Sequence, residues 1–175
     1  MSRILFIFIF FCSFLAACSK ATDSGLAAEK AQAAIDDKMI SDYLAANPSL
    51  KFTRIDTTGV YYSIKQVGTT AGLFTNSTSV TVADTGRLLN PTYIGQIFYE
   101  TNDFHPSYVL STVIKGWQLG IPFCKKGGII RLLIPSRYAY GPNAQPTVGT
   151  QYGLAAGLPA NAVLDFDIAL IDITN

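Results

Sequence analysis

The chain has 175 residues, 49% hydrophobic and 12% aromatic, enough for one ordinary domain with a real core plus additional segments. Its 13 Lys and Arg stand against 12 Asp and Glu, with no run of like charge, so the sequence carries no electrostatic footprint for nucleic acid or an acidic substrate. It also holds no metal-ligand cluster, glycine-rich phosphate loop or nucleophile–base pair, which leaves hydrolysis and phosphoryl transfer without their usual parts.

Residues 1–17 read as a signal peptide. Arg3 supplies a positive start and ILFIFIFFCSFL (4–15) a short apolar stretch. A membrane span needs about 20 apolar residues, more than this stretch has. Leu15-Ala16-Ala17-Cys18 then resembles a bacterial lipobox. That resemblance implies cleavage before Cys18 and a diacylglycerol on its sulfur. An uncleaved anchor or an ordinary signal peptide is the competing reading. Loss of Arg3 would leave 12 basic against 12 acidic residues. Cys12 would leave with the signal, so Cys124 would be the one free thiol, with no internal disulfide to make. It reads as a small buried hydrophobe. His105, the only histidine, stands in no motif and reads as a loop residue.

Residues 18–25 read as the lipidated cysteine followed by a small, polar, flexible tether. The Ala-rich segment 26–48 predicts a helix, ended by Asn47-Pro48. Ile35, Met39 and Tyr43 are spaced by four and Leu44 joins their stripe. This helix is either a spacer packed on its own domain or a surface for a second copy or a partner protein.

Residues 49–175 form the main domain. GVYYSIKQVG (59–68) reads as a strand bounded by glycines, and 70–79 as a polar loop in which Asn76-Ser77-Thr78 serves a turn. Residues 79–86 alternate, with Val80 and Val82 inward. A connection over 87–93 leads to a strand at 94–101, and 102–110 leads to a short helix from 113. Ser111 or Thr112 caps that helix, Val113 and Ile114 share a face with Trp117, and Pro122 ends it. Gly127-Gly128 turns the chain into IIRLLIP (129–135), a strand, and Tyr138, Tyr140 and Gly141 close it in a loop. A long loop, 141–161, precedes the last strand, 162–173. There Leu164, Phe166, Ile168 and Leu170 face one way and Asp165 and Asp167 the other, as in a strand with one wet face. About five strands and one internal helix make an α+β architecture.

VIKGW, the Lys-Gly-Gly turn, RLLIP and YAYG, followed by LPANA and AVLDFDIALIDI, occur in that order. In this arrangement they resemble the FK506-binding (FKBP-type) family of peptidyl-prolyl isomerases, strongly over 113–173 and more weakly over 59–112. The resemblance implies a twisted antiparallel half-barrel wrapped around the short helix, here preceded by the N-terminal helix, with a pocket between sheet and helix. It implies prolyl isomerisation of proline-containing polypeptide clients, with no cofactor and no metal. Trp117 would be the floor under the proline ring, and Val113 and Ile114 a wall, with the Ile114 N–H donating to a substrate carbonyl. The Tyr140 hydroxyl would donate to another. Phe98 and Phe166 would line the side, and Leu158 would take the apolar position before the family's Pro.

Three departures accompany the match. The family's HYTG-like strand end reads Ala83-Asp84-Thr85-Gly86, and its Phe-Asp reads Phe98-Tyr99, so tyrosine and carboxylate have changed places. This exchange predicts a hydrogen bond between Asp84 and Tyr99. The family aromatic ahead of the helix falls near Pro106, and Tyr108 reads as a neighbouring core residue. The 141–161 loop is longer than the family's and reads as a lid or docking surface, with Val148, Tyr152 and Leu154 supplying apolar contacts. The function implied is a prolyl isomerase assisting protein folding in the bacterial envelope. The lipid on Cys18 would hold it to a membrane, the outer one being favoured, facing the periplasm or exterior. A catalytically weak or inactive binding module of the same fold, docking a partner protein, is the competing reading.

Overall fold

In a computed structural model the backbone is described for residues 2–90 and 95–175, and side chains within that range from residue 24 onward. The signal segment and Cys18 therefore lie outside the described side chains. The chain divides into two compact units, Met1–Ile35 and Asp36–Asn175. The first is the leading part of helix α1 (Ser2–Ala46), which runs through 18–25, where a flexible tether was expected. The stretch contains no proline, and Gly25 alone costs a helix only about 1 kcal/mol. Among the described residues no helix is long and apolar enough to cross a membrane.

The second unit is one antiparallel sheet of seven strands with a short helix on its inner face. The strands are β1 (Thr53–Arg54), β2 (Tyr61–Gln66), β3 (Ser79–Leu88), β4 (Ile97–Glu100), β5 (Ser107–Val109), β6 (Ile129–Ile134) and β7 (Leu164–Thr174). Their order is β1-β2-β6-β7-β3-β4, with β5 paired to the start of β3. The two longest strands, β3 and β7, pair over ten positions from Ser79 opposite Thr174 to Leu88 opposite Leu164. Alternation sets the inner face: Val80, Val82 and Asp84 point inward on β3, and Leu164, Phe166, Ile168 and Leu170 on β7.

Helix α2 (Lys115–Gly120) lies on that inner face. Its cap is Ile114, with no side-chain hydrogen bond, rather than Ser111 or Thr112, which fall in the 3-10 turn Leu110–Thr112. The entry is held instead by Gln118, whose amide donates to the Val113 carbonyl at 2.8 Å and to the Ser111 carbonyl at 3.3 Å. α2 stops at Gly120, and Pro122 sits in a second 3-10 turn, Ile121–Phe123. Gly116 and Gly120 face β6 so closely that a Cβ on Gly116 would collide with the Ile134 side chain and one on Gly120 with Leu132. Two glycines four apart thus let the helix rest directly on the sheet.

Strand β6 is buried on both faces, which explains its almost unbroken apolar run. Ile130, Leu132 and Ile134 join the inner core. Leu133 and Arg131 point to the other face, which residues 36–52 cover. There Ile40, Tyr43, Leu89, Leu133 and Val163 make a second, smaller core. The helix face used is Asp36, Ile40 and Tyr43 with Met39 and Leu44 beside it, while Ile35 is 56% exposed. A carboxylate sits in the buried stripe because it is satisfied: Asp36 accepts from the Ser136 N–H at 2.9 Å and its hydroxyl at 2.7 Å. Arg131 makes a two-pronged pair with Asp165 at 2.8 and 2.7 Å and donates to the Tyr43 hydroxyl at 2.6 Å. The Asp165 end of β7 is therefore dry, against the wet face expected, and the strand becomes wetter further along, where Asp167 pairs with exposed Lys65 and half-buried Arg87 and Asp172 pairs with exposed Lys126.

This rear brace generates the first test. Arg131→Met leaves the buried Asp165 carboxylate without its cation and should destabilise the fold by about 3–5 kcal/mol in denaturant unfolding. Arg131→Met combined with Asp165→Leu should recover most of the loss. A double variant no more stable than the single one would mean the pair is not coupled.

Candidate functional site

The curved inner face and α2 enclose a cavity of about 390 Å³. Trp117 on α2 forms part of its lining and is 5% exposed, edge-on to Phe166 of β7 (centroids 5.2 Å, 87°) and to Tyr108 of β5 (6.1 Å, 78°). Phe98 of β4 stands edge-on to Phe166 at 5.6 Å. These perpendicular contacts put positive ring edges against negative ring faces and fix a box of aromatic walls. Gly86 on β3 permits it, since a Cβ there would meet Phe98 and Phe166, each at 2.7 Å. Thr112, Val113 and Ile114 line the approach from the turn before α2, Tyr140 from the loop after β6, and Val148 from the long 141–161 loop.

The structure thus brings together Trp117, Ile114, Val113, Tyr140, Phe98, Phe166, Asp84 and Tyr99 around one cavity. Leu158 is the correction. It is fully buried in the core and does not line the cavity, because its backbone bridges Gln145 across the long loop and turns the side chain inward. Three lining residues escaped the sequence reading: Tyr108, Thr112 and Val148. Tyr108 lies on β5, whose three residues are too few for a periodic signal. Cys124 is buried, and burial pushes its thiol up to about 11, as befits an inert core residue.

The exchanged pair is not bonded as expected. Asp84 and Tyr99 do line the same cavity, but the Tyr99 hydroxyl pairs with the Tyr108 hydroxyl at 3.0 Å. β5, which sequence periodicity does not reveal, brings that second phenol within reach of Tyr99. Asp84 is 4% exposed, and neither carboxylate oxygen has a hydrogen-bond partner. Its backbone is well held, with its N–H donating to the Thr101 hydroxyl at 2.9 Å and its carbonyl accepting from the Thr101 N–H at 3.0 Å. Burial pushes the Asp84 carboxyl up to about 7. Burial, then the Tyr99 hydrogen bond, pushes the Tyr108 phenol above its ordinary range; burial, then Asp84 and Tyr99, does the same to Tyr140. The Trp117 indole N–H is likewise buried without a partner. An apolar box holding unpaired polar atoms is built to receive a ligand that supplies their partners.

The sign of the Asp84 shift sets a stability test. Because the folded carboxyl titrates near 7 and an ordinary one near 3.8, the native state holds an extra proton between those values. Stability therefore falls as pH rises through that window, by on the order of 4 kcal/mol once the shift is complete. Asp84→Asn removes the penalty, so it should stabilise the protein much more at about pH 8 than at about pH 4. An equal effect at both, in denaturant unfolding, would contradict the shift.

Residues 73–171 match the family model for FKBP-type peptidyl-prolyl cis-trans isomerases. The chain is 32% identical over 133 residues to the FKBP-type peptidyl-prolyl cis-trans isomerase FkpA of Buchnera aphidicola subsp. Schizaphis graminum, covering 76% of this chain and 48% of that protein. It is 40% identical over 98 residues to FK506-binding protein 1 of Candida glabrata, covering 54% of this chain and 75% of that one. The chain spans about half the length of the FkpA relatives it matches. Among solved structures, a peptidyl-prolyl cis-trans isomerase from Pseudomonas syringae pv. tomato aligns with a TM-score of 0.64 at 23% identity, over 83% of this chain and 96% of that one, a likeness of fold. FkpA from Escherichia coli aligns with a TM-score of 0.58 at 28% identity, over 78% and 63%. The matched stretch runs from just before β3 into β7 and contains every residue that lines the cavity, so this chain belongs to the FKBP-type peptidyl-prolyl cis-trans isomerase family.

Proposed function

We propose that the protein is a peptidyl-prolyl cis-trans isomerase that assists folding of proline-containing polypeptides in the bacterial envelope. The observation that carries this reading is the aromatic cavity: Trp117 and Phe98 each edge-on to Phe166, with Tyr140 at the lining. Rotation about an X-Pro bond breaks no covalent bond, but it must cross a barrier of about 18–20 kcal/mol set by partial double-bond character. Charge separation favours the planar amide, and water stabilises that charge. A dry aromatic box withdraws the stabilisation and grips the twisted amide better than the planar one. In this reading Trp117 is the floor under the proline ring, and Val113, Phe98 and Phe166 are its walls. The Ile114 backbone N–H and the Tyr140 hydroxyl donate to peptide carbonyls.

The LAAC sequence at 15–18 supports a lipid anchor on Cys18, with the signal removed before it and the outer membrane as its seat. The following helix stands between that anchor and the domain. Leu26 and Ile35 are each more than half exposed on it and offer a second copy or a partner its contact. A second reading, a binding module that holds a proline segment without turning it over, draws on Asp84, where an unpaired acid stands in place of the family's tyrosine.

NMR exchange on an X-Pro peptide separates the two readings. Wild type should accelerate exchange, and Trp117→Leu, chosen because truncation to Ala would cost about 3–5 kcal/mol of stability, should lose most of that acceleration while folded. Wild-type rates in folded Trp117→Leu would place the proline elsewhere. For the anchor, labelled fatty acid should attach to wild type and not to Cys18→Ala, and unchanged labelling of that variant would remove the lipobox reading.

A further inference from the structure

The fold satisfies its other deeply buried carboxylates. Asp36 has the Ser136 N–H and hydroxyl, and Asp165 has both prongs of Arg131. Asp84, equally buried, has nothing on either oxygen, and it lines the cavity. From β4 comes Tyr99 and from β5 Tyr108, their hydroxyls bonded to each other, and from the loop after β6 comes Tyr140. From β7 come Phe166 and Ile168, and from α2 Trp117. The charged side chains on β3 and β4 serve other partners: Arg87 pairs with Asp167, and Glu100, opposite Thr85, accepts from the Thr85 hydroxyl, both on the sheet face opposite Asp84. Among the described residues, no cation neutralises Asp84.

The ligand's chemistry decides which form of the carboxyl is useful. A proline nitrogen in a peptide bears no hydrogen, so the segment around an X-Pro bond offers carbonyl acceptors and is short of donors. An anion facing those carbonyl oxygens repels them. A neutral carboxylic acid carries an O–H that meets them, and an apolar, water-poor box with no cation favours the neutral acid. Building on the isomerase reading above, we propose that Asp84 is a catalytic residue that acts protonated, its O–H donating a hydrogen bond to a carbonyl oxygen of the bound X-Pro segment alongside the Tyr140 hydroxyl. The proton stays on Asp84 throughout, so the step requires no co-reactant. The raised Asp84 carboxyl places the loss of this donor near neutral pH, where the Tyr108 and Tyr140 phenols, both pushed up by burial, stay protonated.

The test is the pH dependence of catalysed exchange on an X-Pro peptide without titratable side chains, using the full chain and its Asp84→Asn and Asp84→Leu variants between about pH 5.5 and 9. Wild-type kcat/KM should be level in acid and fall towards about tenfold per pH unit above neutrality. Asp84→Asn keeps an N–H donor that does not titrate, so its profile should be flat and within about threefold of the wild-type acid level. Asp84→Leu should be flat and about tenfold or more below that level. A protonated-carboxyl infrared band, present in acid, lost above neutral pH and absent from Asp84→Asn, should titrate with the wild-type rate. A flat or rising wild-type profile, or Asp84→Leu at the wild-type level, would overturn the proposal. If wild type catalyses at no pH, the isomerase reading falls instead. Peptide affinity then decides the donor: tighter binding in acid for wild type only supports it, and pH-independent affinity overturns it.

Discussion

The seating of α2 on β6 controls the rest of the inner face. Two glycines one turn apart remove the side chains that would hold the helix off the sheet, and Ile134 and Leu132 fill the space where a Cβ would stand. Any larger residue lifts the helix, and lifting the helix lifts Trp117. Its contacts with Phe166 and Tyr108 are edge-on, so small changes of height or tilt are felt at once. A six-residue helix is too short to be stable by itself, so burial of Trp117 and Ile121 supplies what propensity does not. The floor of the cavity and the stability of the element that carries it are thus one interaction.

The sheet must be stiff for that seating to hold, and the rear brace makes it so. On one face β7 lends Phe166 to the cavity and β6 seats α2, and on the other face lie residues 36–52. Arg131 gathers the Asp165 carboxylate, the Tyr43 hydroxyl and the faces of the Tyr43 and Phe52 rings into one buried cluster. Such a pair adds little net stability over an apolar replacement, since desolvation offsets most of its attraction. Its geometric demand is strict, however, and it fixes the position of the helix end relative to the sheet. Asp36 on Ser136 and Asp37 on Arg137 repeat the arrangement at the start of the loop that carries Tyr140.

How much of this was legible depends on signal length. The VIKGW, RLLIP and YAYG segments carry the family resemblance, and Trp117, Ile114 and Tyr140, which that resemblance puts at one pocket, line one cavity. β3 and β7 showed in their alternation over ten or more residues. β1 and β5 hold two and three residues, below the length at which period two can be seen, and with β5 the role of Tyr108 was hidden. The Asp165 face read as wet because an aspartate in an alternating strand normally marks solvent. Only the tertiary approach of Arg131 and Tyr43 reverses that. The Asp84–Tyr99 bond was inferred from the exchange of residue types at two positions that touch in the family, and that exchange does not report that the Tyr108 hydroxyl takes the Tyr99 hydroxyl instead.

The long loop then bears on why Asp84 lies dry. β4 ends the strand order of the sheet, and an edge strand offers unpaired N–H and C=O groups to any neighbour. Tyr152 answers this with one hydroxyl, accepting from the Glu100 N–H at 3.2 Å and donating to the Glu100 carbonyl at 2.9 Å, while Gln96 donates to the Tyr152 carbonyl at 3.1 Å. The Gln145–Leu158 bridge closes the loop on itself, and Val148 comes down onto the cavity. The loop that blunts the edge therefore also supplies one wall of the cavity. Asp84 lines the same cavity, and burial there raises its carboxyl. A buried acid left without a partner is unfavourable for folding alone, and its place in the cavity wall ties that cost to the ligand the cavity receives.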